Sequence, residues 1–210
     1  MSSSASGEID FKPGDDVWTL LSLHDLGSMF PGAKERNLYR YFPLIVEALR
    51  EARILTAPML AMALGTIAAE TAGFEPIAEF QSKFNTSSHS KRPFDLYDRR
   101  SDLGNQGPPD GFNFRGAGFV QLTGRANFET YGDRLGINLI AHPERALEPK
   151  VAADILALFL ADKEMRIVAA LNRGDLAGAR KLVNGGRHGL ERFVPAYQRA
   201  RDLLAARRAR

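Results

Sequence analysis

Apolar residues recur at three- and four-residue spacing through Leu38, Tyr41, Phe42, Ile45 and Leu49, which predicts an amphipathic helix from about Lys34 to Ala52. The following stretch, Ile54 to Ala69, carries no charged side chain and closes on Glu70. Thr56 is placed to cap a second helix there, with Pro58 tolerated in its first turn. That helix is predicted to run through Thr71 and stop at Gly73. Apolar on every face, it reads as buried on most sides rather than amphipathic. Upstream, Trp18, Leu20, Leu21, Leu23 and Leu26 give residues 17–30 enough apolar surface to pack before the turn signal Pro31-Gly32.

Periodicity fades between Glu75 and Gly118. Four prolines (Pro76, Pro93, Pro108, Pro109) and the glycines at 104, 107, 111, 116 and 118 punctuate a largely polar stretch. So long an irregular segment inside a compact domain points to function. Phe119-Val-Gln-Leu reads as a short strand or extended segment. Helical patterning returns from Arg125 to Leu135 and strongly from Val151 to Ala161, then near 164–172, 175–183 and 190–206. The expected architecture is mainly α, with a small β element and one long loop-rich insertion.

Composition narrows the function classes. At 210 residues and 44% hydrophobic content, the chain suits a soluble globular protein with a substantial core. The uncharged run is broken by Pro58 and Gly65 and is too short for a membrane span, so no stable membrane insertion is expected. The first residues lack the basic start and apolar stretch of a secretory signal, so synthesis in the cytoplasm is expected. With no cysteine there is neither a disulfide framework nor a thiol nucleophile. The net charge of +3, partly from Arg207, Arg208 and Arg210, favours polyanionic partners. Aromatic residues do not alternate with Lys and Arg as a nucleic-acid platform requires, so nucleic acid is not an expected partner. The four histidines are scattered, and no metal is predicted.

The chemistry concentrates in "IAAETAGFEPIAEF", residues 67–80, with Glu70, Glu75 and Glu79. Glu70 ends an uncharged helix, where low dielectric and the negative end of the helix dipole both disfavour the ionised form. Such a carboxyl suits a general acid. The opposing reading is a helix-end carboxylate that salt-bridges an arginine. Glu79 lies nine residues on, in the irregular region. That separation permits, without demonstrating, the roughly 6.5–9.5 Å between carboxyls that an inverting glycosidase needs to seat a water. Glu75, directly before Pro76, reads as a surface bystander.

The stretch "DGFNFRGAGFVQLTGRANFETYG" (110–132), together with "AAETAGF" and "KLVNGG", resembles glycoside hydrolase family 19, in particular its bacterial and phage endolysin branch. The resemblance spans about residues 35–205. It implies a lysozyme-like helical fold in which the long insertion lines the cleft, with residues 1–33 as an N-terminal arm, partly disordered, and 34–210 as the catalytic domain. Carried over position by position, it places the general acid on Glu70 and the second catalytic carboxylate on Glu79. Thr123 falls on the hydroxyl that helps hold the water. Gln121, Asn127 and Asn184 fall on substrate contacts. Arg192 falls on the arginine that orients the carboxylates, and Tyr97 and Asn105 fall on the loop that lines the cleft. Two positions depart from the pattern: Ala69 stands where members often have His, and Ala117 where many have Arg. Gly116 and Gly118 are expected to serve backbone geometry, and Phe114, Phe119 and Leu122 to pack.

The activity implied is inverting hydrolysis of β-1,4-linked N-acetylhexosamine polymers, without metal or organic cofactor. Peptidoglycan is the expected substrate and chitin the alternative. Release by a holin or a dedicated export machine would deliver the protein to the cell wall, and an immunity or inhibitor protein is a candidate partner for an otherwise monomeric chain. A catalytically silent glycan-binding module and an arginine-tail nucleic-acid binder are the readings from other classes.

Overall fold

A computed structural model of the protein describes residues 9–71, 73–89, 92–184 and 188–208. The Ser-rich start, Gly185-Gly186 of the "KLVNGG" motif and Arg210 of the arginine-rich end lie outside the described residues. The chain divides into two compact units, one of Met1–Glu75 with Leu156–Arg210 and the other of Pro76–Ile155.

In the first unit, α1 (Leu23–Met29) is started by a capping box between Ser22 and Asp25. It packs on α2 (Glu35–Glu51) and on the last helix, α9 (Leu190–Arg208). Leu21 and Leu26, within the segment expected to be an N-terminal arm, are fully buried. Arg207 of α9 donates to the carbonyls of Trp18 and Thr19 and to the Asp25 carboxylate, tying the end of the chain to its beginning.

At the centre runs α3 (Ala57–Glu70), buried from Met59 to Ala69. Thr56 caps it by accepting from the Met59 amide, a contact worth about 1 kcal/mol. The last helix, α9, packs against this apolar helix. Gly65 allows that approach, since a Cβ there would sit 2.9 Å from the Phe193 ring. The helix ends at Glu70, with Thr71 extended as its C-cap, so it stops slightly before the expected limit. The unit is completed by α7 (Glu164–Asn172) and α8 (Leu176–Asn184), which pack on each other. Helix α6 (Pro149–Ala161) runs through the boundary between the units.

The second unit holds α4 (Asp110–Asn113), α5 (Arg125–Leu135) and a two-stranded antiparallel sheet. Its strands are β1 (Ile77–Ala78) and β2 (Ala117–Gly118), with Ile77 opposite Gly118 and Ala78 opposite Ala117. The β element therefore precedes Phe119-Val-Gln-Leu, which is a tight turn rather than a strand. Gly118 at φ 80° begins the reversal, Gln121 adopts φ 52°, and Leu122 pairs back onto Ala117. Phe114, Phe119 and Leu122 pack into the core as expected.

The insertion between the strands has little regular structure, and buried polar groups order it instead. Asp110 forms a two-pronged bond to Arg125 at 2.8 and 2.7 Å and accepts the Gln106 amide. Asp98 accepts the Gly111 amide, and Asn105 joins the Tyr97 carbonyl to the Arg125 amide at the start of α5. No helix among the described residues is long and apolar enough to cross a membrane.

Candidate active-site residues

Glu70 projects from the last turn of α3 and is held by Arg180 of α8. The guanidinium NH2 lies 2.6 Å from Glu70 Oε1, with Arg180 1% and Glu70 16% exposed. Arg180 also donates to the His188 carbonyl, at 3.3 Å from Nε and 3.1 Å from NH2. Asn184, one turn along α8, sends its amide to the same carbonyl at 3.3 Å. Gly189 passes so close to α3 that a Cβ there would sit 2.9 Å from that of Ala69. Among the described residues, Arg180 NH1 and the fully buried Thr66 hydroxyl have no hydrogen-bond partner.

The helix-end ion pair given as the opposing reading of Glu70 is thus present. That arginine is Arg180, not Arg192. Arg192 sits on the exposed side of α9 with its Nε 3.6 Å from Glu191 Oε1. The reason is helical geometry, since Arg180 shares the buried face of α8 with Ala179 and Val183.

Glu79 follows β1 in the second unit. Its amide donates to the Gly116 carbonyl at 2.7 Å, continuing the ladder beyond the strands. Its Oε1 accepts from Asn85 Nδ2 and from the Tyr97 hydroxyl, both at 3.0 Å, and Oε2 accepts the Gly116 amide at 3.1 Å. Gly116 makes this possible, because a Cβ there would lie 2.8 Å from Gln121 Oε1 and 3.2 Å from Glu79 Oε2. The Tyr97 phenol is pushed up to about 12 by burial first and by the Glu79 charge second, so it remains a donor across ordinary pH.

Arg115 stands nearby with its guanidinium over the Phe112 ring at 4.3 Å and donates to the Phe112 carbonyl at 2.6 Å. Burial lowers its pKa, while the Glu79 charge acts in the opposite direction.

The remaining predicted residues of this unit brace its backbone. Gln121 Nε2 donates to the Ile77 and Gly118 carbonyls at 2.9 and 3.1 Å. Thr123 Oγ1 donates to the Gln121 carbonyl at 2.9 Å, and Asn127 Nδ2 to the Thr123 carbonyl at 2.7 Å. Asn105 is buried behind Tyr97, whose carbonyl it binds at 2.8 Å. Glu75 is half-buried in the first unit. Asn85, Arg115 and Arg180 were not singled out from the sequence. Among the described residues no cluster of three or more His, Asp or Glu side chains is arranged to hold a metal.

Neither a protein-family model nor a curated protein sequence matches the chain. Solved structures do. A bacterial family 19 chitinase aligns with a TM-score of 0.60 at 21% identity, over 88% of this chain and 95% of its own. Chitinase C from Streptomyces griseus HUT6037 aligns with a TM-score of 0.56 at 18% identity, over 92% and 79%. A mutant of chitinase C gives 0.59 at 18% identity, over 89% and 77%. The chain has the fold of family 19 chitinases.

Proposed function

We propose that this protein is an inverting glycoside hydrolase acting on β-1,4-linked N-acetylhexosamine polymers, with peptidoglycan as its substrate. The observation that carries the reading is the setting of Glu79, whose side-chain oxygens accept three hydrogen bonds and are held in one orientation beside the two-stranded sheet. On the fold of family 19 chitinases, that suits a general base. Glu70 is the general acid in this reading. It gives its proton to the glycosidic oxygen, and Arg180 stabilises the carboxylate that remains. Glu79 takes a proton from water, which attacks the anomeric carbon from the opposite side, with Thr123 helping to hold that water.

Peptidoglycan is favoured by the likeness of the 110–132 motif and the nine-residue Glu70–Glu79 interval to the endolysin branch, and by the net charge of +3 toward an anionic envelope. Chitin is the second reading, favoured by the names of the three structural neighbours.

Incubation with purified sacculi and, separately, with chitin oligomers, followed by mass analysis of the products, separates the two. Soluble disaccharide–peptides from sacculi support the first, whereas cleavage of chitin alone replaces it with the second. Glu70→Gln should lower the rate by about two to four powers of ten, to about 1% of the parent or less. Near-normal cleavage by that variant ends the assignment.

A further inference from the structure

Asn85 lies six residues after Glu79 and is fully buried. Its Nδ2 donates to Glu79 Oε1 at 3.0 Å and to the Phe80 carbonyl at 2.9 Å. Its Oδ1 accepts from the Ser82 amide at 2.8 Å and the Thr86 hydroxyl at 3.0 Å. A side-chain amide offers two donors and two acceptor positions, and here all four are used. The orientation is fixed, because a flipped amide would set its NH2 against the Ser82 N–H and its oxygen against a carboxylate. Thr86 is locked in turn by the Phe94 amide, which donates to its hydroxyl at 2.9 Å.

The consequence falls on Glu79. A carboxylate oxygen has about two acceptor positions. Asn85 and Tyr97 fill both on Oε1, and the Gly116 amide fills one on Oε2. Among the described residues, the open acceptor position is on Oε2.

We propose that Asn85 is a positioning residue: together with Tyr97 it saturates Oε1 of Glu79, so that Oε2 alone receives the proton of the attacking water. The inference deepens the function proposed above and rests on it for the identity of the reaction. In the step concerned, one O–H bond of water breaks and its proton passes to Oε2. The water oxygen's electron pair forms the new bond to the anomeric carbon. The glycosidic C–O bond breaks, and its electron pair takes the proton supplied by Glu70.

Among the described residues, the ionisable groups around Glu79 in this unit are few. Tyr97 faces it as a neutral donor, and Arg115 faces it as a cation that favours the carboxylate. Behind Tyr97, Arg100 is paired with Asp102, and Asp95 accepts from the Ser87 amide and hydroxyl. Asn85 therefore acts on the Glu79 carboxyl directly, through its own hydrogen bond.

The test uses the full chain with Asn85→Asp and Tyr97→Phe. Asn85→Asp keeps the shape but replaces the donor with a second carboxyl, while Tyr97→Phe removes the other donor alone. Titration of the Glu79 side-chain carboxyl by carbon-13 NMR, assigned by its loss in Glu79→Gln, needs no turnover.

The Glu79 midpoint and the acid limb of the pH–rate profile should both rise, by about one pH unit in Tyr97→Phe and by more in Asn85→Asp. In both variants kcat should fall with little change in KM. A residue that merely braced the loop would lower stability and leave the midpoint in place. Unmoved midpoints in the folded variants overturn the inference while Glu79→Gln remains inactive. An active Glu79→Gln overturns the function proposed for Glu79, and the inference with it. If Asn85→Asp does not fold, Tyr97→Phe alone decides.

Discussion

Removing the Glu70 carboxylate should destabilise the protein, because of what it leaves behind. Arg180 is 1% exposed, its NH1 is unpartnered among the described residues, and its described acceptors are Glu70 and the His188 carbonyl. Deleting one partner of a buried pair leaves an uncompensated charge, at a cost of about 3–5 kcal/mol. Glu70 is itself 16% exposed, so water reaches that end of the pair and the lower part of the range applies. Glu70→Ala should therefore lose about 3 kcal/mol, or about 6–12 °C in Tm for a chain of this length.

Glu70→Gln keeps an acceptor for Arg180 and should lose only about 1 kcal/mol. Arg180→Met removes the donor to Glu70 and to the His188 carbonyl but leaves a carboxylate that water can reach, so an intermediate loss of about 2 kcal/mol is expected. Urea unfolding followed by fluorescence measures this well. Trp18 is the single tryptophan, and it stacks on Tyr39 at 5.5 Å in the same unit as the pair. Glu70→Ala within about 0.5 kcal/mol of the parent would refute the buried-charge argument, since that is the scatter of neutral surface changes. Equal losses in Glu70→Gln and Glu70→Ala would refute the idea that the acceptor matters.

Two further outcomes follow from packing and from charge. Gly65→Ala gains about 1 kcal/mol of helix propensity, but its methyl would press on the Phe193 ring at 2.9 Å and the Phe193 carbonyl at 3.2 Å, so a net loss of about 1–2 kcal/mol is expected in thermal melts. A raised Tm would contradict this. The Arg125 guanidinium holds the Asp110 carboxyl below its ordinary value, so the unfolded chain binds its proton first as pH falls. This contribution is complete above the unfolded pKa of about 3.9 and is lost as pH drops from there through the folded value. Urea midpoints measured through the acid range should fall less steeply in Asp110→Asn, and an unchanged acid slope would remove Asp110 from the account.

The helices were legible where an apolar period has nothing to compete with it. The pattern around Leu38 to Leu49 gave 34–52 against an observed Glu35–Glu51, and the 125–135 and 164–172 segments coincide with α5 and α7. The β element was misplaced because its register is fixed by backbone conformation. Positive φ at Gly118 and Gln121 turns the chain just where Phe119 and Val120 have strand-like composition. The insertion read only as irregular because side chains that order it meet partners far along the chain. Asp110 and Arg125 are 15 residues apart, and Asn105 reaches the Arg125 amide across 20. Spacing of that kind leaves no periodic trace.

The two carboxylates differ in how much of their surroundings can be read. Glu70 stood out as a charge closing an uncharged helix, and the matching signal lay further along in "LAGARKLVN". There Ala179, Arg180 and Val183 share the buried face of α8, so helical periodicity assigns an arginine to the core. A buried guanidinium requires a counter-charge, and Glu70 is the only carboxylate that α3 carries. Each anomaly accounts for the other. Asn85 had no such signal, because a polar residue in a polar loop looks solvated until the fold closes over it. Glu70 therefore depends on where α8 holds Arg180 at the end of α3, and Glu79 on hydrogen bonds made largely within its own loop. Core substitutions in the helices should disturb the first carboxylate, and changes between Phe80 and Tyr97 the second.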